Sequence, residues 1–552
     1  MTETSCNIAS HLPAMAASQP DKAALVAVSG RTPEGRAQYS QFSFSELNLA
    51  SDSYARGLER IGISRGVRTV LMVRPSLEFF ALVFALFKVG AVPVLIDPAI
   101  GLKKLRQCLR EVEPEAFIGL SIAHVARLLM GSALRSVRIK VTVGARWFWG
   151  GHRLRDLKDE DGPAFEMAGT DPDEMAAILF TSGSTGIPKG AVYSHGMFSA
   201  QVDMLRAIYR FGNDEIDLPT FPLFALFDPA LGMTAVLPEM DFAKPGTADP
   251  AKLVEAITDH GCTNMFGSPA LLRNLGAYGV AQGLQLPSLR RVLSAGAPVP
   301  HSVLRDVCSL LGDGAQVFTP YGATESLPVC NIGSDEVLGE TAAATAAGKG
   351  ICVGRPVDGI TVRIIGVSDA AIEAWSDELL VEDGSIGEIT VQGPVVSASY
   401  WARPVQTAAA KIRRSDGAIV HRMGDVGWVD GEGRLWMCGR KSHRLETAQG
   451  PLFTIPIERF FDCHAAGART ALVGTGARGQ QRPLLLVEEA GLAGDVNGEQ
   501  VLAALRALAG EHDVVRSVTD FALYPGRFPV DIRHNAKINR EELTGWAQRR
   551  ST

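Results

Sequence analysis

Short apolar runs alternate with longer segments of helical period along the first third of the chain. The runs at 69–73, 92–96, 116–120 and 138–143 predict buried strands, and residues 79–84 predict a helix leading into the second of them. Strands that alternate with helices in this way predict parallel α/β layers. A further apolar run at 176–180 predicts a buried strand that ends in a glycine-rich loop, and Gln316-Val317-Phe318 predicts another short strand. Beyond it the pattern changes: 387–393 and 431–436 read as strands and hairpin turns, so β structure replaces the parallel layers. Residues 156–173 are polar with Gly and Pro and predict a loop, while the Ala-rich 340–347, stopped by Gly348-Lys349-Gly350, predict a short helix or a mobile loop.

Length makes this more than one core, because 552 residues exceed what a single domain ordinarily holds. A net charge of -6 leaves no basic footprint, which argues against a nucleic-acid partner. Eight cysteines lie scattered from Cys6 to Cys463 with no CxxC pair or zinc spacing, a pattern that predicts reduced thiols in a cytoplasmic protein. The first 13 residues lack the basic start and apolar core of a signal peptide. Lys88, Gly90 and Pro93 interrupt the longest apolar stretch, 79–96, so no membrane span is predicted.

The densest chemistry lies at Thr181-Ser182-Gly183-Ser184-Thr185-Gly186-Ile187-Pro188-Lys189-Gly190. Glycines let the main chain approach an anion, hydroxyls and N–H groups cup its oxygens, and Lys189 supplies a point charge, so the loop suits a polyphosphate. It is not the Walker A spacing, since no Gly-Lys-Ser/Thr closes it.

Over almost its whole length the chain resembles the adenylate-forming superfamily of acyl-CoA synthetases, peptide-synthetase adenylation domains and luciferases, whose signature loop that decamer matches. The resemblance implies ATP and Mg²⁺, attack of a carboxylate on the α-phosphate, release of pyrophosphate and transfer of the acyl group to a second nucleophile. It implies an α/β fold: a large N-terminal domain of layered α/β subdomains plus a β-rich subdomain, residues 1–439, then a small mobile α+β C-terminal lid, residues 440–552. The lid would pivot at Ser442, where the family carries Asp or Lys.

Further positions follow from the same resemblance. Tyr321-Gly322-Ala323-Thr324-Glu325 resembles the second core motif, in which the aromatic stacks on adenine, the hydroxyl meets the α-phosphate and Glu325, with Thr185, holds Mg²⁺. Ser294-Ala295-Gly296-Ala297-Pro298 corresponds to the adenine-pocket loop, Asp425 to the carboxylate that accepts both ribose hydroxyls, and Arg440 to the hinge arginine. Lys537 matches the lysine that the lid brings to the carboxylate and α-phosphate, although Ala536 stands where the family has Gly. Lys537, Thr185 and Glu325 are therefore the catalytic candidates. Taken singly, the motifs at 294–298 and 321–325 also read as ordinary turns; the spacing of 321–325 from the phosphate loop ties that motif to it.

On the acyl side, residues 218–229 replace the family's usual Pro-Leu-Phe-His segment and lack its His. Their phenylalanines and leucines either wall an alkyl tunnel or form a core stripe, and composition does not separate the two. Phe266-Gly267-Ser268-Pro269 is a second candidate wall. After the hinge, Glu446 stands where most CoA ligases have lysine, which speaks against CoA as the acceptor. Residues 222–232, 423–427, 439–441, 446–448 and 528–537 are similar to the olefin β-lactone synthetases of bacterial hydrocarbon biosynthesis. That narrower resemblance implies a long-chain 2-alkyl-3-hydroxy acid as substrate, closed to a β-lactone by its own hydroxyl, with other enzymes of the pathway as candidate partners. The competing readings are a long-chain acyl-CoA or carrier-protein ligase, and a silent nucleotide-binding scaffold. His195, His421, His443 and His534 are candidates for the base that takes the hydroxyl proton, though a lone His is more often structural.

Overall fold

The computed structural model describes residues 6–97, 100–181, 187–494, 496–530 and 538–551. Among them, two seven-stranded sheets carry most of the molecule. The first runs His152–Arg153, Ile139–Val143, Ala116–Leu120, Arg68–Met72, Val92–Leu95, Met175–Phe180, Gly190–Ser194, parallel except for its last pair. The second runs Gln316–Phe318, Arg291–Leu293, Asn264–Phe266, Ile216–Pro219, Thr234–Leu237, Ala23–Arg31, Ala37–Ser43, again parallel up to an antiparallel edge. Helices cover these sheets, as parallel strands buried on both faces require.

Helix Leu77–Lys88 lies in the shared core and is capped by the Ser76 hydroxyl, which accepts the Phe79 N–H. Phe79 through Lys88 are all buried. Such a helix tolerates Lys88 only because Asp52 and Asn48, on helix Phe44–Arg60, meet its ammonium at 2.5 and 2.8 Å. Deleting Asp52 would strand that charge, which typically costs about 3–5 kcal/mol. Helix Phe44–Arg60 starts with a Ser43/Glu46 capping box.

A six-stranded antiparallel sheet follows, built on Ile419–Val429 and Leu435–Arg440. The change from parallel to β-rich structure is thus as the turn signals predict. From Leu445 onward the chain has its own cores: Phe461, Leu485, Leu502 and Leu505 in one, Val473, Leu486 and Leu543 in the other. They sandwich a three-stranded sheet, Thr470–Thr475, Arg482–Glu488 and Asp520–Tyr524. The architecture is a large N-terminal α/β body with a β-rich subdomain and a smaller C-terminal α+β domain.

Local expectations need adjusting in places. The predicted strands at 69–73, 92–96 and 138–143 each shift or shorten by a residue at one or both ends. The Ala-rich 340–347 segment resolves into helix Ala342–Ala346. Residues 321–323, expected in a tight turn, form strand Tyr321–Ala323, hydrogen-bonded to Ser326–Asn331.

Candidate active site

One cavity of about 1400 Å³ opens at the carboxyl ends of both parallel sheets, the place where open α/β sheets bind ligands. Thr181, Lys189, Gly296, Gly322, Ala323, Thr324, Glu325, Arg440 and Ser442 all line it, although they come from four separate parts of the chain. Thr181 and Lys189 flank the expected phosphate loop and are joined by the Thr181 N–H bond to the Lys189 carbonyl, 2.9 Å. Ser182, Gly183, Ser184, Thr185 and Gly186 lie outside the described residues, as do Lys537 and His534.

The adenine-loop expectation falls on the turn after strand Arg291–Leu293, where Gly296 takes φ +94°, a left-handed conformation that favours glycine. Ala297 and Pro298 continue that turn toward helix His301–Cys308. At Gly322 a Cβ would come within 2.7 Å of the Ser326 carbonyl, so the hairpin that presents Ala323 and Thr324 closes only on glycine.

Around this rim runs a polar network. Glu325 accepts a short hydrogen bond from the Tyr400 hydroxyl. The Lys189 ammonium sits 4.7 Å from the centre of the Tyr400 ring, a cation–π distance that holds it over the cavity. Lys411 lies 5.9 Å from the same ring and is buried, so desolvation pushes its amine down to about 7 against the opposing pull of Glu325. Tyr321 is buried, and its hydroxyl donates to Asp425 Oδ2 at 2.7 Å. Arg440 meets Asp425 Oδ1 at 2.9 Å, and that carboxylate raises the guanidinium pKa. The carboxylate expected for ribose therefore already serves as an acceptor for two of the other expected site residues.

Three side chains that no motif singled out join the site. Tyr400 and Lys411 escape notice because an aromatic pair at 400–401 and a basic run near 411–414 look like ordinary surface. Glu388, fully buried, pairs with Arg422 at 2.6 Å and with Lys441 at 2.9 Å, anchoring the segment after Arg440. Among the expected histidines, His195 is buried with Nδ1 accepting the Ile8 N–H, and burial lowers it to about 4. His443 is lowered to about 3, again by burial. His421 lines the cavity, but its Nδ1 meets the Ala410 carbonyl, and burial followed by the Lys411 charge holds its pKa well below the usual range.

On the acyl side, Phe221, Phe224 and Phe266 line the same cavity, and Phe224 stacks on Phe266 at 4.3 Å. The run at 218–229 is therefore wall as well as core. Behind it Asp217 and Asp228 are buried together; burial raises both carboxyls, and Asp228 is raised further by Asp217.

The residues present fit a nucleoside triphosphate: Lys189 and Arg440 bring two cations to the cavity, and the small-residue turn at Gly296 lines it as well. They also fit Mg²⁺. Among the described residues no three His, Cys, Asp or Glu side chains converge as a cage, and Glu325 suits a cation that draws its other oxygens from phosphate and water.

Two parallel α/β layers with a shared cavity at their strand ends, followed by a β-rich subdomain and a small α+β domain, are the architecture of the adenylate-forming enzymes. The chain belongs to the AMP-binding enzyme family, whose model matches residues 12–401. It is 51% identical over 551 residues to the olefin beta-lactone synthetase of Xanthomonas campestris pv. campestris, covering 99% of this chain and 98% of that protein. Identity to the olefin beta-lactone synthetase of Stenotrophomonas maltophilia is also 51%, covering 98% of each. In fold it is similar to ATP-bound MatB from Rhodopseudomonas palustris, with a TM-score of 0.78, 20% identity and full coverage of both chains. Amide bond synthetase McbA from Marinactinospora thermotolerans gives 0.79 at 21% identity, covering 98% and 100%.

Proposed function

We propose that the protein is an ATP-dependent β-lactone synthetase acting on a long-chain 2-alkyl-3-hydroxy acid. The carboxylate attacks the α-phosphorus of ATP and pyrophosphate leaves. The β-hydroxyl then attacks the acyl carbon, AMP departs with the carbon–oxygen bonding pair, and the hydroxyl proton passes to a base. Because nucleophile and electrophile belong to one molecule, ring closure replaces a bimolecular encounter.

In this reading the loop 181–190 and Lys189 hold the β- and γ-phosphates, and residues 296–298 and 321–324 hold the adenine and α-phosphate. Asp425 and Arg440 hold the ribose, Glu325 and Thr185 hold Mg²⁺, and Lys537 offsets charge on the entering carboxylate. Mg²⁺ bound there would neutralise phosphate charge. Residues 1–439 act as the adenylating body and 440–552 as the lid. We place the reaction in the cytoplasm; the eight cysteines are free, and among the described residues no helix is long and apolar enough to cross a membrane.

The observation that carries the proposal is the single cavity in which Lys189 and Glu325 meet an apolar wall of Phe221, Phe224 and Phe266. Near the hinge, Glu446 is bound by Arg444 and Arg478 and is committed to an ion cluster, where the CoA-ligase pattern would have lysine. The activity named for the two bacterial relatives supports the same outcome.

The test incubates the protein with ATP, Mg²⁺ and a 2-alkyl-3-hydroxy acid, with and without CoA, and identifies the product by NMR. A β-lactone without CoA is expected. An acyl-CoA formed only with CoA would replace this reading by a conventional ligase. Lys537→Ala is expected to cut pyrophosphate release about 10²–10³-fold.

A further inference from the structure

The cavity is larger than one ligand site needs, since pockets for small ligands run to roughly 300–1,000 Å³. Beyond the polar rim its lining divides into two apolar walls of different origin. On one side Phe79, Val83 and Phe87 recur at every fourth position of helix Leu77–Lys88, so a single stripe of that helix faces the void. Leu71 and Leu95, which pack into the same core as that stripe, complete this wall from the first sheet. On the other side Phe221, Phe224, Leu237, Phe266 and Ala243 come from the second sheet and its loops.

Phe198, on helix His195–Tyr209, stands between the walls. Its ring lies 5.8 Å from Phe87 and 6.1 Å from Phe227. The polar rim is close by: the Tyr193 hydroxyl, on the strand just before that helix, donates to the Thr324 carbonyl at 2.5 Å.

A linear acyl chain needs one wall, whereas a carboxylate with branches at C2 and C3 needs two that diverge from the reacting carbon. Unfilled apolar lining forfeits dispersion contacts, so its retention on both sides points to ligand on both sides. We propose that the cavity holds the two alkyl branches of one substrate apart, one along the Phe79–Val83–Phe87 wall and the other along the Phe221–Phe224–Phe266 wall, with Phe198 at the fork. This rests on the two-branched substrate of the preceding section.

The test uses four 2-alkyl-3-hydroxy acids, short or long at C2 and short or long at C3, with Leu95→Trp in the first wall and Ala243→Trp in the second. Both positions are half-buried and cavity-lining. The readout is the long-to-short ratio of kcat/KM for pyrophosphate release within each variant, which cancels any loss of folded protein. Each variant is expected to lower that ratio about tenfold or more for one branch, and the two variants for different branches. Val83→Phe, also in the first wall, serves if Leu95→Trp does not fold. Penalties on the same branch from both walls, or no penalty from the first-wall variant, would overturn the proposal. Product identity is scored separately: pyrophosphate release without lactone would sink the lactone reading while the ratios still decide the two walls.

Discussion

Two side chains illustrate how burial and partners set the chemistry of single residues. Tyr400 gives its hydroxyl to Glu325 and its ring face to Lys189, so it touches both groups assigned to the phosphates and Mg²⁺. Partners of a cation ligand usually matter by about 10–100-fold in metal affinity or activity. Tyr400→Phe keeps the ring and loses the donor, and is expected to raise the Mg²⁺ concentration for half-maximal pyrophosphate release about tenfold. An unchanged Mg²⁺ titration would remove Tyr400 from the site. Asp217 and Asp228 pose a different question, because their folded pKa values stand above the ordinary carboxylate value near 4. Their contribution to stability is then complete below about pH 4 and is lost as pH rises toward and through neutrality, where the folded state must bury ionised carboxylates. Asp217→Asn removes one of the two titrations. Relative to the unmutated protein, the variant should gain on the order of 1–2 kcal/mol of unfolding free energy between pH 5 and pH 8. A difference that stays constant with pH in urea unfolding would show that the pair does not titrate as described.

At the level of elements, close approach decides against propensity. Gly57 lies inside helix Phe44–Arg60, where alanine would be favoured by about 1 kcal/mol. A Cβ there would fall 2.0 Å from the Leu157 carbonyl oxygen, in the turn Leu154–Leu157 that packs on this helix. Overpacking of that kind typically costs about 1–3 kcal/mol, so Gly57→Ala is expected to lower the urea midpoint despite its better helix propensity. A raised midpoint would mean that the turn simply moves away. The same contest explains what the sequence made legible. Strands 116–120 and 176–180 announce themselves by uninterrupted apolar runs, and the parallel order follows from their alternation with helices. The strands Ile216–Pro219 and Asn264–Phe266 do not, because they are four and three residues long and carry Asp217 and Asn264 into the core. Their pairing is fixed by long-range contacts that no local window contains. In the site, residue type and spacing singled out Thr181, Lys189 and residues 322–325, which line one cavity. Tyr400, Glu388 and Lys411 were not, since their importance comes from burial against distant partners. Helix Leu77–Lys88 was legible as a helix, but its cavity-facing stripe was hidden by apolar residues on nearly every side.

For the whole molecule, the question is what holds the small C-terminal domain on the body. Asp369, in the body, accepts Arg444 at 2.7 Å and Arg478 at 2.5 Å, while Glu446 accepts the same two arginines at 2.6 and 2.9 Å. Arg444, first of the two, and then Arg478 hold the Asp369 carboxyl down to about 2, so the cluster stays ionised at any ordinary pH. Lys441 adds a second anchor through buried Glu388. In the proposed rotation of the lid about Ser442, Arg444, Glu446 and Arg478 would leave Asp369, and the cluster would then serve as a catch. Asp369 is half exposed, which limits such pairs to about 1 kcal/mol or less. One kilocalorie is nonetheless enough to change an opening equilibrium about fivefold. Arg440, Lys441 and Arg444 are all trypsin sites within the hinge segment, and each is protected while its side chain is paired. Asp369→Asn should therefore speed tryptic cleavage at 440–444 several-fold at low salt, with little change in the urea midpoint. Salt screens the pairs in the unmutated protein, so raising ionic strength toward 1 M should bring its cleavage rate up to that of the variant. Equal rates at low salt would mean that the two domains are held by packing alone, and that any lid rotation has to break apolar contact instead of an ion cluster.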